Sequence, residues 1–334
     1  MISVVPVPAS DESSDSTTAP GRPAARESAA QPAAETAAEP AAELLAVGET
    51  MAMVAPDRAE PLDAAERFRI DAGGAESNVA AHVAALGGRA AWWSRLGDDA
   101  LGRRIARQLA ERGVEMRAEF DTEHPTGLYV KDPGRGVRYY RAGSAAAHLV
   151  PADADAVDLA GIRVLHVSGI TAAISASAAE FLDRLIDRAR AAGVLVSFDV
   201  NHRAALWSTE TAAVALDALV RRAHLVFVGR DEAEALWGTA TVETVRERFA
   251  TVPELIVKDG EHGATGFAGD AVEFVPSPVI EVVEAVGAGD AFAGGYLAAM
   301  LAGAPLTDRL RAGHARAGIT LQTTGDFAEE AVRA

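Results

Sequence analysis

Three short apolar runs constrain the fold more than any other feature of the chain. Val164-Leu165-His166-Val167-Ser168, Val194-Leu195-Val196-Ser197-Phe198 and Leu225-Val226-Phe227-Val228 are short and rich in β-branched residues. Such runs read as strands buried on both faces. Between them lie helical patterns: Ser175 to Ala192 repeats Ala178, Phe181, Leu182 and Leu185 at helical spacing, and Thr211 to Arg222 behaves likewise. Strands alternating with helices of this length predict a doubly wound, mostly parallel sheet flanked by helices. Leu44 to Gly48 reads as a further buried strand that opens the folded part. Glu254 to Lys258 reads as the last, ahead of a hairpin through Phe267 and Val272 to Val275. Ala288 to Thr323 reads as two helices split at Ala302-Gly303-Ala304-Pro305. A chain of 334 residues with 49% apolar content can bury a sizeable core in one large α/β domain or two modest ones.

One region breaks the alternation. Residues 114–145 lack a helical period and contain Gly127 to Lys131, a Gly134-Arg135-Gly136 turn and Val137 to Arg141, which predicts strand, turn, strand. With Glu66 to Ile70 this points to a small β-sheet lid, from about 60–72 and 114–145, projecting from a domain that spans 44–334. Residues 1–43 are an Ala/Pro/Ser/Glu-rich extension without aromatics, expected to be disordered, although a helix over Ala33 to Leu45 is an alternative.

Composition excludes several classes. The chain has no cysteine, hence no disulfide framework, thiolate zinc site or thiol nucleophile. A formal charge of −17 argues against nucleic acid and anionic membrane surfaces as partners. No apolar run approaches the roughly 20 residues that span a bilayer, and the start lacks the basic region of a secretory signal. A cytoplasmic protein is expected.

Three segments carry candidate chemistry. In Val282 to Gly295, a β-branched run ends in the turn Gly287-Ala288-Gly289-Asp290, which opens a helix. Small side chains and a helix N-terminus can hold an anion, and Asp290 could take a proton from an attacking hydroxyl. The tetrapeptide by itself is equally compatible with an ordinary helix start. In Asp71 to Ala80, Gly73 and Gly74 let backbone approach a ligand, and Asn78 can bond hydroxyls; the dinucleotide-binding glycine spacing is absent. Phe198-Asp199-Val200-Asn201-His202-Arg203 follows a buried strand. Asp199, Asn201 and Arg203 are therefore expected in the crevice at the carboxyl ends of the strands.

Together and in this order, these segments resemble the signatures of the ribokinase-like (PfkB) carbohydrate kinases, over roughly residues 44–326. One signature is Gly73-Gly74…Asn78…Gly87…Gly97 with Arg95-Leu96-Gly97-Asp98-Asp99…Gly102. The other is Gly287-Ala288-Gly289-Asp290 with Ala291-Phe292…Gly294. Within the family the chain is most similar to 2-keto-3-deoxygluconate kinases. The likeness lies in Gly48-Glu49-Thr50-Met51, Gly73 to Asn78, Tyr139 to Ala146, and Asp199-Val200-Asn201-His202-Arg203…Leu206-Trp207.

The resemblance implies an ATP-dependent sugar-acid kinase with a ribokinase-like fold. Asp290 would be the base, and Gly287, Ala288 and Gly289 would stabilise the transferring group. Gly73, Gly74, Asn78, Tyr129, Tyr139, Arg141, Arg203, Asp290 and Asp326 would bind the acceptor. Lys258, Gly260, Gly263 and Gly287 to Gly289 would bind ATP, and Glu232 would bear on Mg2+. The two arginines and the tyrosine hydroxyls form a plausible clamp for the carboxylate that a neutral sugar lacks. Strand alternation allows only one of Tyr139 and Tyr140 to face the acceptor with Arg141. Glu284-Ala285 departs from the family's Asp-Thr or Asp-Pro, leaving a K+ requirement open, and the metal-associated motif keeps only Glu232. His82 and His202 read as incidental polar residues. A homo-oligomer through the lid is expected. Alternatives are a fructokinase, a 2-keto-3-deoxygalactonate or inositol-pathway keto-acid kinase, and a non-catalytic sugar sensor.

Overall fold

The computed structural model describes residues 42–58, 60–323, 325 and 327. The expected N-terminal extension up to residue 41, and Asp326, lie outside the described residues.

Nine strands form the main sheet, in the spatial order Ala271–Pro276, Gly263–Ala268, Glu254–Asp259, Leu225–Gly229, Leu195–Asp199, Val164–Ser168, Leu44–Val47, Ala90–Trp93 and Glu115–Met116. All pairings from Glu254–Asp259 to Glu115–Met116 are parallel, and an antiparallel hairpin closes the other edge. The period of 2 along a strand divides its residues between two cores. Leu44, Ala46, Leu225 and Phe227 join one core, while Leu45, Val47, Val226 and Val228 join the other. Helices cover both faces, which is why the strands carry apolar residues at consecutive positions. On one face Phe181 of the Ala176–Ala191 helix stacks on Trp93 at 5.4 Å. On the other, Tyr296 of the Ala288–Leu301 helix meets Phe227 edge-on at 5.3 Å. Each such fully buried side chain contributes about 1.5–3 kcal/mol.

The strand Leu44–Val47 lies between Ala90–Trp93 and Val164–Ser168, so the chain winds away from it in both directions. Such a reversal opens a crevice at the carboxyl ends of the strands.

A second sheet of four strands stands apart, in the order Phe68–Gly73, Met51–Pro56, Leu128–Asp132 and Gly136–Tyr140. Its composition differs from expectation in two ways. Met51–Pro56, which carries no turn signal separating it from the preceding strand, is one of its two central strands. Residues 114–121 do not belong to it: Glu115–Met116 extends the main sheet, and Glu119–Asp121 pairs with Arg95–Gly97. Both stretches are too short to show a period. Among the described residues no helix is long and apolar enough to cross a membrane.

Candidate active site

The turn that opens the Ala288–Leu301 helix begins at Gly287, whose φ of 85° is the left-handed conformation that L side chains rarely adopt. That turn aims the first-turn backbone and Asp290 at the crevice. Ala288 N–H is turned toward Ala285 O at 3.3 Å, which leaves the Gly289 end of the turn as the better oriented anion donor.

Asp290 is held by a residue 212 positions away. Asn78 Nδ2 donates to Asp290 Oδ2 at 2.9 Å. The two meet because their helices, Ala75–Ala85 and Ala288–Leu301, pack at a glycine. A Cβ on Gly294 would lie 2.5 Å from His82 Cβ and 3.2 Å from Val79 O. Gly294 thus sets the interhelix distance on which the Asn78–Asp290 bond depends. His82, buried at that contact, accepts from Arg316 Nε at 2.8 Å. Burial and the neighbouring arginines push its pKa down to about 3, so it stays neutral.

Two cavities meet at this turn. One is a cleft of about 750 Å3 whose walls include Lys258, Gly260, Gly263, Ala288, Gly289 and Gly318. Its walls are mainly small or apolar, with Pro278, Val279, Ile280, Phe292 and Leu321 among them. The other, of about 70 Å3, is lined by Gly73, Gly74, Asn78, Tyr129, Tyr139, Arg141, Arg203, Gly287 and Asp290. It shares Val137 and Val286 with an adjoining groove of about 280 Å3. The expected acceptor residues therefore converge, Asp326 aside; of the expected nucleotide residues Lys258, Gly260, Gly263, Ala288 and Gly289 line the separate cleft, while Gly287 lines the small pocket. Asp290 lines the small pocket, next in sequence to Gly289 of the cleft.

Alternation along Gly136–Tyr140 behaves as expected. Tyr139 faces the small pocket, its ring 5.8 Å from that of Tyr129 and 5.7 Å from the Arg141 guanidinium carbon, while Tyr140 is 61% exposed and lines no part of it.

The two arginines of the expected clamp differ in their surroundings. Arg141 Nη2 is paired with the buried Glu49 carboxylate, which also accepts from Ser144 Oγ at 2.6 Å. Arg203 makes no side-chain hydrogen bond or ion pair among the described residues. Glu49 was missed as a site residue, although its place just past the strand Leu44–Val47 is where such sheets bind ligands. Arg203 is aimed by a strained segment. Asn201, with φ of 41°, is the one non-glycine residue with positive φ among those described, and its N–H donates to Asp199 Oδ1 at 3.2 Å.

Beneath the turn lies a buried charged group. Lys258 Nζ donates to Asp199 Oδ2 at 3.0 Å. Burial pushes the Lys258 pKa down, but Asp199 and Glu232 outweigh it and the net shift is upward, so the ammonium persists. Glu232, the expected metal residue, spends both oxygens on backbone: Gly229 N–H at 2.8 Å and His202 N–H at 2.9 Å. Burial raises its pKa. The described residues contain no group of three His, Asp or Glu able to hold a metal. Through the His202 N–H, Glu232 pins the loop that carries Arg203. Glu284 is likewise occupied, by Lys131 Nζ at 3.4 Å.

A helix start able to hold an anion, with an internal carboxylate and with a large cleft and a small polar pocket on either side, suits phosphoryl transfer to a small hydroxyl compound. Residues 41–330 match the model of the pfkB family carbohydrate kinases, and the chain belongs to that family. It is 35% identical to the 2-dehydro-3-deoxygalactonokinase of Haloferax volcanii, over 85% of this chain and 92% of that one. It is also 35% identical to the 2-dehydro-3-deoxygluconokinase of Bacillus subtilis, over 84% and 90%. The structure of the Thermotoga maritima 2-dehydro-3-deoxygluconokinase superposes with a TM-score of 0.79 at 25% identity, covering 86% of this chain and 96% of that one. The fold is ribokinase-like, and the protein is an ATP-dependent sugar kinase.

Proposed function

We propose that the protein transfers the γ-phosphoryl group of ATP to the primary hydroxyl of 2-keto-3-deoxygluconate, giving the 6-phosphate, with Asp290 as general base. The carrying observation is the position of Asp290 in the small pocket, one residue after Gly289 of the large cleft, oriented by Asn78 at 2.9 Å. The acceptor oxygen attacks the γ-phosphorus as the bond to the β–γ bridging oxygen breaks, ADP leaves, and the hydroxyl proton passes to Asp290. Amides of the Gly287–Gly289 turn face the charge that builds on the phosphoryl oxygens. Arg203 anchors the acceptor carboxylate, while Tyr129, Tyr139 and Arg141 shape the wall opposite. The second sheet serves as the lid that excludes water. Mg2+ held with the nucleotide would supply neutralisation of the phosphate charge, and Glu232, whose oxygens accept from the Gly229 and His202 N–H groups, would bear on it indirectly.

A second reading, the galactonate epimer, is favoured by the equal identity to the Haloferax volcanii enzyme. The need for ATP supports a cytoplasmic site for the reaction. Exposed Tyr140 and Phe68 on the second sheet support pairing of two copies there. An acceptor panel with ATP tests the reading. Both 2-keto-3-deoxy acids should be turned over well above fructose or ribose, and preference for a neutral sugar would overturn it.

A further inference from the structure

The chain between the hairpin and the catalytic helix, residues 277–287, has no regular secondary structure and lines all three cavities. Little holds it in the middle. Val283 and Glu284 N–H donate to Leu321 O at 2.8 and 3.3 Å, while the side chains of Val279, Val282 and Val283 are 104%, 55% and 56% exposed. On the opposite wall stands Lys131, whose side chain is 5% exposed and whose Nζ lies 3.4 Å from Glu284 Oε2. A lysine is seldom buried so fully without a fixed partner.

The strand that supplies Lys131 matters. Leu128–Asp132 also carries Tyr129, and residues two apart on a strand share a face. Tyr129 lines the acceptor pocket, and Lys131 reaches the segment that ends in Gly287. One strand of the second sheet therefore touches both the acceptor and the root of the turn that carries Asp290. The pair also neutralises a carboxylate three residues ahead of the turn, where free negative charge would oppose a nucleotide's phosphates.

We propose that Lys131 and Glu284 form a latch that couples the second sheet to the phosphoryl-transfer turn. They are positioning residues that set the register between acceptor and Asp290. This rests on the kinase reading of the site, so wild-type turnover on the acceptor panel is measured first and separately. If nothing is phosphorylated, that reading fails, and hydrogen exchange still decides the latch.

The test uses the full chain with Lys131→Met, Lys131→Arg, Glu284→Gln and the double variant K131M/E284Q. Each is compared with wild type by kcat, both KM values, ATP affinity by calorimetry without acceptor, and hydrogen exchange over residues 279–290. Lys131→Met and Glu284→Gln should each lower kcat about 10-fold while ATP affinity changes less than about 3-fold, and exchange in the segment should quicken. The double variant should be no worse than the poorer single, and Lys131→Arg should recover most of kcat. A folded Lys131→Met with kcat within about 2-fold of wild type and unchanged exchange would overturn the latch. So would losses that multiply in the double variant. If a single variant fails to fold, the double variant, which buries no lone charge, is judged by the same kcat and exchange criteria.

Discussion

The two cavities that meet at Asp290 are built differently. The large cleft draws every lining residue from positions 258–321, and its walls are mostly small or apolar. The small pocket draws on positions 49–51, 73–78, 129–141, 170, 203 and 286–290, from strands of the second sheet and from loops and helices around the main one, and it includes charged and aromatic side chains. Recognition on the first side is a matter of space left open by residues near one another in sequence. On the second it is a matter of distant functional groups brought into contact. The larger cavity accordingly tolerates shape changes poorly, and the smaller one tolerates changes of charge poorly.

Asp290→Asn should break the comparison hardest, because that side chain serves both sides. Loss of a general base should lower kcat by about 10²–10⁴-fold, with ATP and acceptor affinities by calorimetry kept near wild type. Turnover close to normal would remove Asp290 from the chemistry.

The arginines separate recognition from architecture within the small pocket. Arg203→Ala should raise KM for a sugar acid roughly 10- to 100-fold and leave a neutral sugar almost unaffected, the value of a charge-assisted hydrogen bond. Arg141→Ala should instead lower stability by about 3–5 kcal/mol, since it strands the buried Glu49 carboxylate, and should affect acids and neutral sugars alike. The reverse pattern in the acceptor panel and thermal melts would exchange their roles.

On the cleft side, Gly318→Val tests whether space is what matters. A Cβ there would meet only Ile280 and Pro278, both at 3.9 Å, so the fold accepts it while the cleft is filled. KM for ATP should rise about 10-fold with acceptor KM and melting temperature unchanged, in keeping with the 1–3 kcal/mol cost of overfilling a site. An unchanged KM for ATP would move the nucleotide elsewhere.

The last effect is on stability rather than turnover, at a carboxyl in the first turn of the Ala75–Ala85 helix. Glu76 is fully buried, and desolvation lifts its pKa to about 7 against the opposing hydroxyls of Ser168 and Thr171. The folded state therefore holds this proton over a window, from about 4.5 to about 7, in which the unfolded chain releases it. Stability from this group is complete below that window and falls as pH rises through it, by roughly 3 kcal/mol in all. His82 and His166, with pKa values lowered to about 3 and about 4 by burial, act in the opposite direction as pH rises toward 6.5. The informative quantity is thus the difference between wild type and Glu76→Gln in denaturant melts from pH 5 to 8. The wild type should lose stability relative to the variant as pH rises, and parallel curves would contradict a buried neutral carboxyl.

Much of the site could be found before any coordinates because its motifs are local. Gly287-Ala288-Gly289-Asp290 and Gly73-Gly74…Asn78 each occupy one turn and the helix that follows, and backbone geometry alone demands small residues there. Glu49, Lys131 and Glu284 were not legible as site residues. Glu49 is marked in sequence only by its family-like segment, Glu284 only as a departure from the family and Lys131 only by its strand, while the partner that defines each lies 92 or 153 positions away (from Glu49 to Arg141, and from Lys131 to Glu284). The second sheet was only half visible, since Met51–Pro56 pairs with partners across a long separation and offers no local turn to mark it.

The sequence by itself determined the doubly wound class of the sheet and most of its strands and helices, Ala90–Trp93 and Glu115–Met116 excepted, and it marked the turn ending in Asp290. These follow from periodicity and from what glycine permits in a backbone. The tertiary structure decided that Arg141 pairs with Glu49 while Arg203 pairs with nothing among the described residues, that both Glu232 oxygens accept from backbone, and that Asn78 donates to Asp290. Those outcomes depend on which charged and polar groups share a buried volume, and there the desolvation cost forces each one to take whichever partner the packing brings within reach.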